Sequence, residues 1–280
     1  MSDSVSDLLD QALDLDDNGR EVEAFPLWDE VITAVGDATD DELRELAGRA
    51  WLRKAWALSA LGRRDEAVVE YAAAAARFPD IAWVAEYALA EVAHHAHEQG
   101  RPQEALDVLA GLPRDVYNAL VEGHALADLG RDEAALACFD ALVADFAEDP
   151  DLLTHVTSAR ARKVEMLQDL RRRDECIATC RELVTAASGS PDPYLRNEVA
   201  NAFAAAAAAH ANEGRTRAAL TLYRQFRREF RRGESDRIDQ LLEWTDESIA
   251  LIWCARVRKC LFWGGLAVVL AREVISSKRQ

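Results

Sequence analysis

Residues 62–79 read GRRDEAVVEYAAAAARFP. Counting from Gly62, alanine stands five residues on (Ala67), tyrosine nine on (Tyr71), alanine twelve on (Ala74) and proline seventeen on (Pro79). Glycine tolerates the left-handed backbone that ends a helix, so Gly62 predicts a reversal between two helices. A side chain as small as the alanine at plus five lets two helices approach closely, where a larger one would push their axes apart. Upstream, Trp51 supplies a bulky residue to the first helix, which runs to about Leu61. Thr39, Asp40 and Asp41 offer the N-cap chemistry that starts it.

The same grammar recurs along the chain. Gly19 is followed by Ala24 and Trp28, Gly130 by Ala135 and Phe139, and Gly214 by Ala219 and Tyr223, at the same offsets. Gly100 is followed by Ala105 and Leu109, with Gly111 and Pro113 cutting the second helix short. Gly123 places a second small residue in the helix before Gly130. A fifth copy is degenerate: Arg171 stands where glycine is expected, followed by Cys176 and Cys180. Residues 188–193, SGSPDP, then break the chain before the sixth copy. The six turn positions are 19, 62, 100, 130, 171 and 214, at intervals of 30 to 43 residues.

This order of small and aromatic positions resembles the tetratricopeptide repeat (TPR), whose usual period is roughly 34 residues. The resemblance covers about residues 5–233 and is strongest in repeats two, four and six. It implies an all-α fold: a right-handed αα superhelix, a TPR-like solenoid of about six helix-turn-helix units, irregular in linker length, with C-terminal capping helices. Residues 5–233 are the expected solenoid domain and 234–280 a separate helical cap or interaction segment.

Composition agrees. Half of the 280 residues are hydrophobic but only 7% are aromatic, an Ala- and Leu-rich balance suited to close helix packing. The net charge of −17 is uneven. Residues 1–150 carry 11 basic and 33 acidic side chains, a balance of −22, whereas residues 151–280 carry 22 and 17, a balance of +5. So acidic a first half argues against nucleic acid as a partner, since phosphate needs a cationic surface. The opposite signs of the halves leave end-to-end self-association as a homo-oligomer open. The five cysteines (Cys138, Cys176, Cys180, Cys254, Cys260) lack CxxC spacing and are read as packing residues in a reduced compartment. MSDSVSDLLDQ has neither the basic nor the apolar part of a secretory signal, so a cytoplasmic location is expected.

No catalytic motif is visible, and abundant carboxylates on solvated helix faces are the ordinary state of such a sequence, so no enzyme and no cofactor are expected. The TPR resemblance implies a concave surface lined by the first helix of each repeat. Carried over from the turn residues, its positions are Arg49, Leu52 and Trp56 in repeat two. They are Tyr87, Ala90, His94 and His97 in repeat three, and Tyr117, Leu120 and His124 in repeat four. Arg53 and Glu91 flank them. Rigid aromatic surface suits a peptide groove, and the resemblance implies a protein or peptide partner bound by a non-enzymatic scaffold or adaptor. The competing reading is that Tyr87 and Tyr117 pack against adjacent helices. Lys and Asn, which the family's carboxylate-clamp version needs, are absent: Leu52, Trp56, Ala90, His94 and Leu120 stand in those places.

Glu91, His94 and His97 or Glu98 share a helix face, but the spacing is not HExxH and metal is not the favoured reading. In repeat six the groove positions are Asn201, Ala204, Ala208 and Ala211, and burial of these alanines against the C-terminal helices is expected. Arg224, Arg227, Arg228, Arg231 and Arg232 form a cationic stripe on the last repeat helix, read first as a solvated face.

Beyond residue 234, Ile238, Leu241, Leu242 and Trp244 open an amphipathic helix. Arg256, Arg258 and Lys259 interrupt the apolar run that follows; at about 2.5–3.5 kcal/mol each they disfavour a membrane span. Residues 260–271 are too short to cross a bilayer, which takes about 20 residues. A capping helix pair is the first reading. With Trp253, Arg256, Arg258, Lys259 and Trp263 as contact residues, a dimer or assembly interface, or less favourably a membrane surface, is the alternative.

Overall fold

The computed structural model describes residues 2–36 and 38–254. They are helical, with no strand among the described residues. Twelve helices follow in order: α1 (Ser2–Asp17), α2 (Glu21–Val35), α3 (Asp41–Ala60), α4 (Arg64–Arg77), α5 (Ala82–Glu98), α6 (Pro102–Leu109), α7 (Val116–Asp128), α8 (Asp132–Phe146), α9 (Leu153–Asp169), α10 (Arg173–Ala187), α11 (Pro193–Asn212) and α12 (Thr216–Glu229). Residues 236–254 form α13. Each repeat is a helix pair, and six pairs stand where the turn residues placed them. The fold is a TPR-like helical solenoid.

Two compact bodies make up the chain, Met1–Leu142 and Val143–Gln280. In the N-terminal body each helix from α1 to α7 packs on the next, and α1, α3, α5 and α7 also touch in sequence. These first helices of successive repeats therefore form a layer of their own, and their outward faces make one surface. In the C-terminal body α9 to α12 pack in order, with α9 also against α11.

The residues of the repeat grammar are the core. Ala67, Tyr71 and Ala74 are all buried, as are Ala24 and Trp28, Ala105, Ala135 and Phe139, Cys176 and Cys180, and Ala219 and Tyr223. Asp40 caps α3 as expected, its carboxylate accepting from the Leu43 amide at 3.1 Å. Polar ties cross between helices. Lys54 on α3 reaches Asp29 on α2 at 2.8 Å and Glu70 on α4 at 2.7 Å. The Trp51 indole N–H donates to the same Glu70 at 2.7 Å, and its ring meets Phe78 edge-on.

The degenerate fifth repeat makes the same turn as the others. At Gly62 (φ 77°) the Gly62 amide donates to the Ser59 carbonyl and the Arg63 amide to that of Leu58, both at 2.9 Å. Arg171 copies this at φ 58°, donating to the Gln168 carbonyl at 3.0 Å, while Arg172 donates to that of Leu167 at 2.9 Å. Helical periodicity on both sides forces the reversal, and an L side chain is held in a backbone region that costs roughly 1–2 kcal/mol. Arg171→Gly is therefore expected to stabilise the protein by about 1 kcal/mol, read as a raised urea midpoint at unchanged slope. An unchanged or lowered midpoint would show that the turn carries no such strain.

Two sequence expectations need correction. The cationic stripe does not lie on one helix: α12 ends at Glu229, so Arg231 and Arg232 fall beyond it, and Arg227 pairs with Asp246 of α13 at 3.4 Å. Among the described residues, the alanine face of α11 is only partly covered. Ala204 is buried, but Ala205 and Ala208 floor a cavity of ≈ 490 Å³ that Asn201, Arg237, Leu241 and Trp244 help to line. Although α13 does pack on this body through Ile238, Leu241 and Leu242, the described residues leave the concavity unfilled.

Candidate groove of the N-terminal body

The layer of first helices presents a concavity of ≈ 640 Å³ lined by Leu13, Arg49, Leu52, Arg53, Trp56, Trp83 and Tyr87. Helical spacing explains the convergence. Arg49, Leu52, Arg53 and Trp56 lie on one face of α3, and Trp83 and Tyr87 are one turn apart on α5. Their burial divides sharply. Leu52 is 8% exposed and forms the floor, whereas Trp56, Trp83 and Tyr87 are 45%, 43% and 45% exposed. The only charged lining side chains, among the described residues, are Arg49 and Arg53.

Behind Arg53 lies Asp16, buried on α1, with its nearer oxygen 3.9 Å from the guanidinium. Neither Asp16 oxygen has a hydrogen-bond partner among the described residues. Burial raises its pKa against the pull of Arg53.

One turn beyond Tyr87 the surface changes character. Tyr87 rests edge-on against buried Tyr71, at 6.1 Å between ring centroids. Glu91 follows on α5, half-buried, its pKa raised by burial first and by Glu98 second. Arg64 is the cation nearest in effect, but its guanidinium is hydrogen-bonded to Glu98. His94 meets the Tyr117 ring edge-on at 5.3 Å, and burial lowers its pKa. Burial likewise raises that of the Tyr117 hydroxyl.

At the far end the His97 ring stacks on His124, at 6.0 Å and 27° between planes, and its Nε2 lies 3.0 Å from Asp128. His94 instead has Glu98 at 3.8 Å. The imidazoles thus turn to different carboxylates although helical spacing puts them on one face. No group of three or more potential ligands among the described residues is arranged to hold a metal.

The structure therefore brings Arg49, Arg53, Trp56 and Tyr87 into one pocket, and sets Glu91, His94 and Tyr117 beside it along α5 and α7. His97 and His124 continue the line. Tyr87 does both things that were weighed for it, packing on Tyr71 and keeping 45% of its surface open. Sequence reasoning missed two lining residues. Leu13 occupies in repeat one the register position that Trp56 holds in repeat two, and the register carried back from Gly19 reaches it. Trp83 lies one turn before Tyr87, outside the positions assigned from the repeat but on the same face.

Of the C-terminal contact residues, Trp253 is on α13 and 47% exposed, beside Leu251 at 70%. Arg256, Arg258, Lys259 and Trp263 lie outside the described residues. No helix among the described residues is long and apolar enough to cross a membrane.

Residues 49–80 match the sequence profile of the tetratricopeptide repeat. Among solved structures the chain is similar to PilW, a type IV pilus biogenesis factor, at 14% identity and a TM-score of 0.56 over 85% of this chain and 98% of that one. It is also similar to a point variant of the nearly identical TPR-like repeats of a putative kinesin light chain from Podosopora anserina. There the identity is 16% and the TM-score 0.51, over 67% of this chain and 96% of that one. At such identities the likeness is one of fold. No curated protein matches the sequence.

Proposed function

We propose that this chain, a tetratricopeptide-like helical-repeat protein, is a non-enzymatic scaffold that holds a peptide segment of a partner protein in the groove of repeats two to four. Folds of this kind generally serve as protein–protein interaction scaffolds. The observation that carries the groove reading is the pocket on α3 and α5, where Trp56, Trp83 and Tyr87 are left close to half exposed around two guanidiniums. Large aromatic area held on rigid helices loses little rotamer freedom when a ligand covers it, which is the usual make-up of a binding hot spot.

Alanine at Trp56, Tyr87 and Tyr117, singly and together, is expected to remove a specific partner from affinity capture out of the native cell. Each hot-spot loss should be about 2 kcal/mol, or roughly thirtyfold in affinity. Unfolding should move by no more than about 1 kcal/mol for Trp56 and Tyr87, because neither is a core residue. Capture that survives all three changes would defeat the groove reading.

A second reading has its own observation. Leu251, two residues before Trp253, leaves 70% of its surface exposed on α13, as a subunit would that docks on a second copy or a larger assembly. Glutamate at both positions is expected to reduce the mass of the protein in solution to that of a monomer if this surface self-associates. Equal masses before and after would remove self-association through it.

A further inference from the structure

The groove's charges are segregated along its length, and that segregation specifies its occupant. At one end, among the described residues, Arg49 has no ion-pair partner, Arg53 has only buried Asp16 at 3.9 Å, and no carboxylate lines the pocket. This is a cationic island in a half of the chain whose balance is −22. One turn past Tyr87 on α5 the sign reverses. Glu91 is half-buried and near enough to raise the pKa of the phenols of Tyr71, Tyr87 and Tyr117, with Glu98 opposing it and Arg64 already hydrogen-bonded to Glu98. Each end has a charge that a ligand of opposite sign would complete, and desolvated pairs of this kind fix the register and direction of a bound chain.

We infer that the occupant of this groove is a peptide segment of mixed charge, read in one direction. An acidic residue lies against Arg49 and Arg53, an apolar or aromatic residue against Trp56 and Trp83, and a basic or donor residue against Glu91. This rests on the groove reading above. A polyacidic segment would satisfy the arginines but meet Glu91, Glu98 and the surrounding negative field, which at about 0.1 M salt reaches about 10 Å. A polybasic one would be drawn to that field generally but repelled by the pocket.

The test is selection of a random dodecapeptide phage library on the intact chain and on three variants: Arg49→Glu with Arg53→Glu, Glu91→Gln, and Trp56→Ala with Tyr87→Ala. On the native chain, peptides enriched for an acid and a base in fixed order around an aromatic or aliphatic residue are expected. The double charge reversal should remove the acid preference and weaken the selected peptides about tenfold or more. Glu91→Gln should remove only the basic preference. Circular dichroism of each variant separates lost recognition from lost fold.

If enrichment depends on Trp56 and Tyr87 yet shows no charge order, or an order that neither charge variant alters, the mixed-charge inference fails and the groove stands. If the enriched peptides ignore the aromatic variant, or none are enriched, the groove fails and this inference with it.

Discussion

Trp28→Ala is expected to lower the stability of the N-terminal body by about 3–5 kcal/mol, the usual cost of removing a large aromatic from a packed core. Trp28 is 0% exposed and belongs to the cluster that joins Val5, Leu9 and Ala12 of α1 to Val31 of α2 and Ala47 and Ala50 of α3. Trp28 heads the largest fully buried side chains and its cluster is shared by neighbouring helices, so the vacated space cannot close without moving an axis. The indole N–H has no acceptor among the described residues, which separates two contributions. Trp28→Phe keeps most of the apolar volume and removes a buried donor that has no hydrogen-bond partner. It should cost clearly less than half as much as alanine. Urea unfolding followed by circular dichroism reads both. Equal losses for the two variants would mean that the indole nitrogen is satisfied and that ring shape alone sets the cost. A loss below about 1 kcal/mol for alanine would mean that repeat one is not part of the cooperative body.

The contrast between Trp28 and Trp56 marks what the sequence could say. Both stand in the repeat register, and register alone distinguished them: Trp28 is nine residues past a turn glycine, and Trp56 is six before one. In the repeat that the sequence resembles, the first position packs between the paired helices and the second lies on the concave face, and in this chain Trp28 is 0% exposed and Trp56 45%. The N-cap at Asp40 and the reversal at Arg171 were legible for the same reason, each being settled by chemistry within a few residues.

What was not legible depends on contacts between repeats. Glu91, His94 and His97 share a face, but which carboxylate each imidazole meets depends on Glu98 on their own helix and Asp128 on the next repeat. Periodicity gives a face and says nothing of rotamers. The open cavity beside Ala205 and Ala208 escaped likewise, because a run of alanines reads the same whether it is covered or left as a floor. The groove was therefore half readable: its line of residues came from the register, and its division into a cationic and an anionic end needed the structure.

Gly123→Ala carries the second large effect, and it joins the core to the groove. A Cβ at this position would run into Cε1 of Phe139 and lie 2.8 Å from Cζ and 2.9 Å from Cδ1. Phe139 is itself 0% exposed, so the ring has no solvent to retreat into, and overpacking of this kind costs about 1–3 kcal/mol. The strain should not stay local. Phe139 meets His124 edge-on at 5.6 Å, and His124 in turn stacks on His97 along the groove line. A ring pushed aside by one methyl must disturb that imidazole pair, so partner capture should fall along with stability although Gly123 faces no ligand. Phe139→Leu in the same chain removes the clashing ring atoms. The double variant should then be more stable than the sum of the single losses by about 1–2 kcal/mol in a double-mutant cycle. Additive losses would show that the α7–α8 crossing yields elsewhere. Capture that stays intact in a destabilised Gly123→Ala protein would show that the His97–His124 end of the groove takes no part in binding, confining recognition to the pocket between α3 and α5.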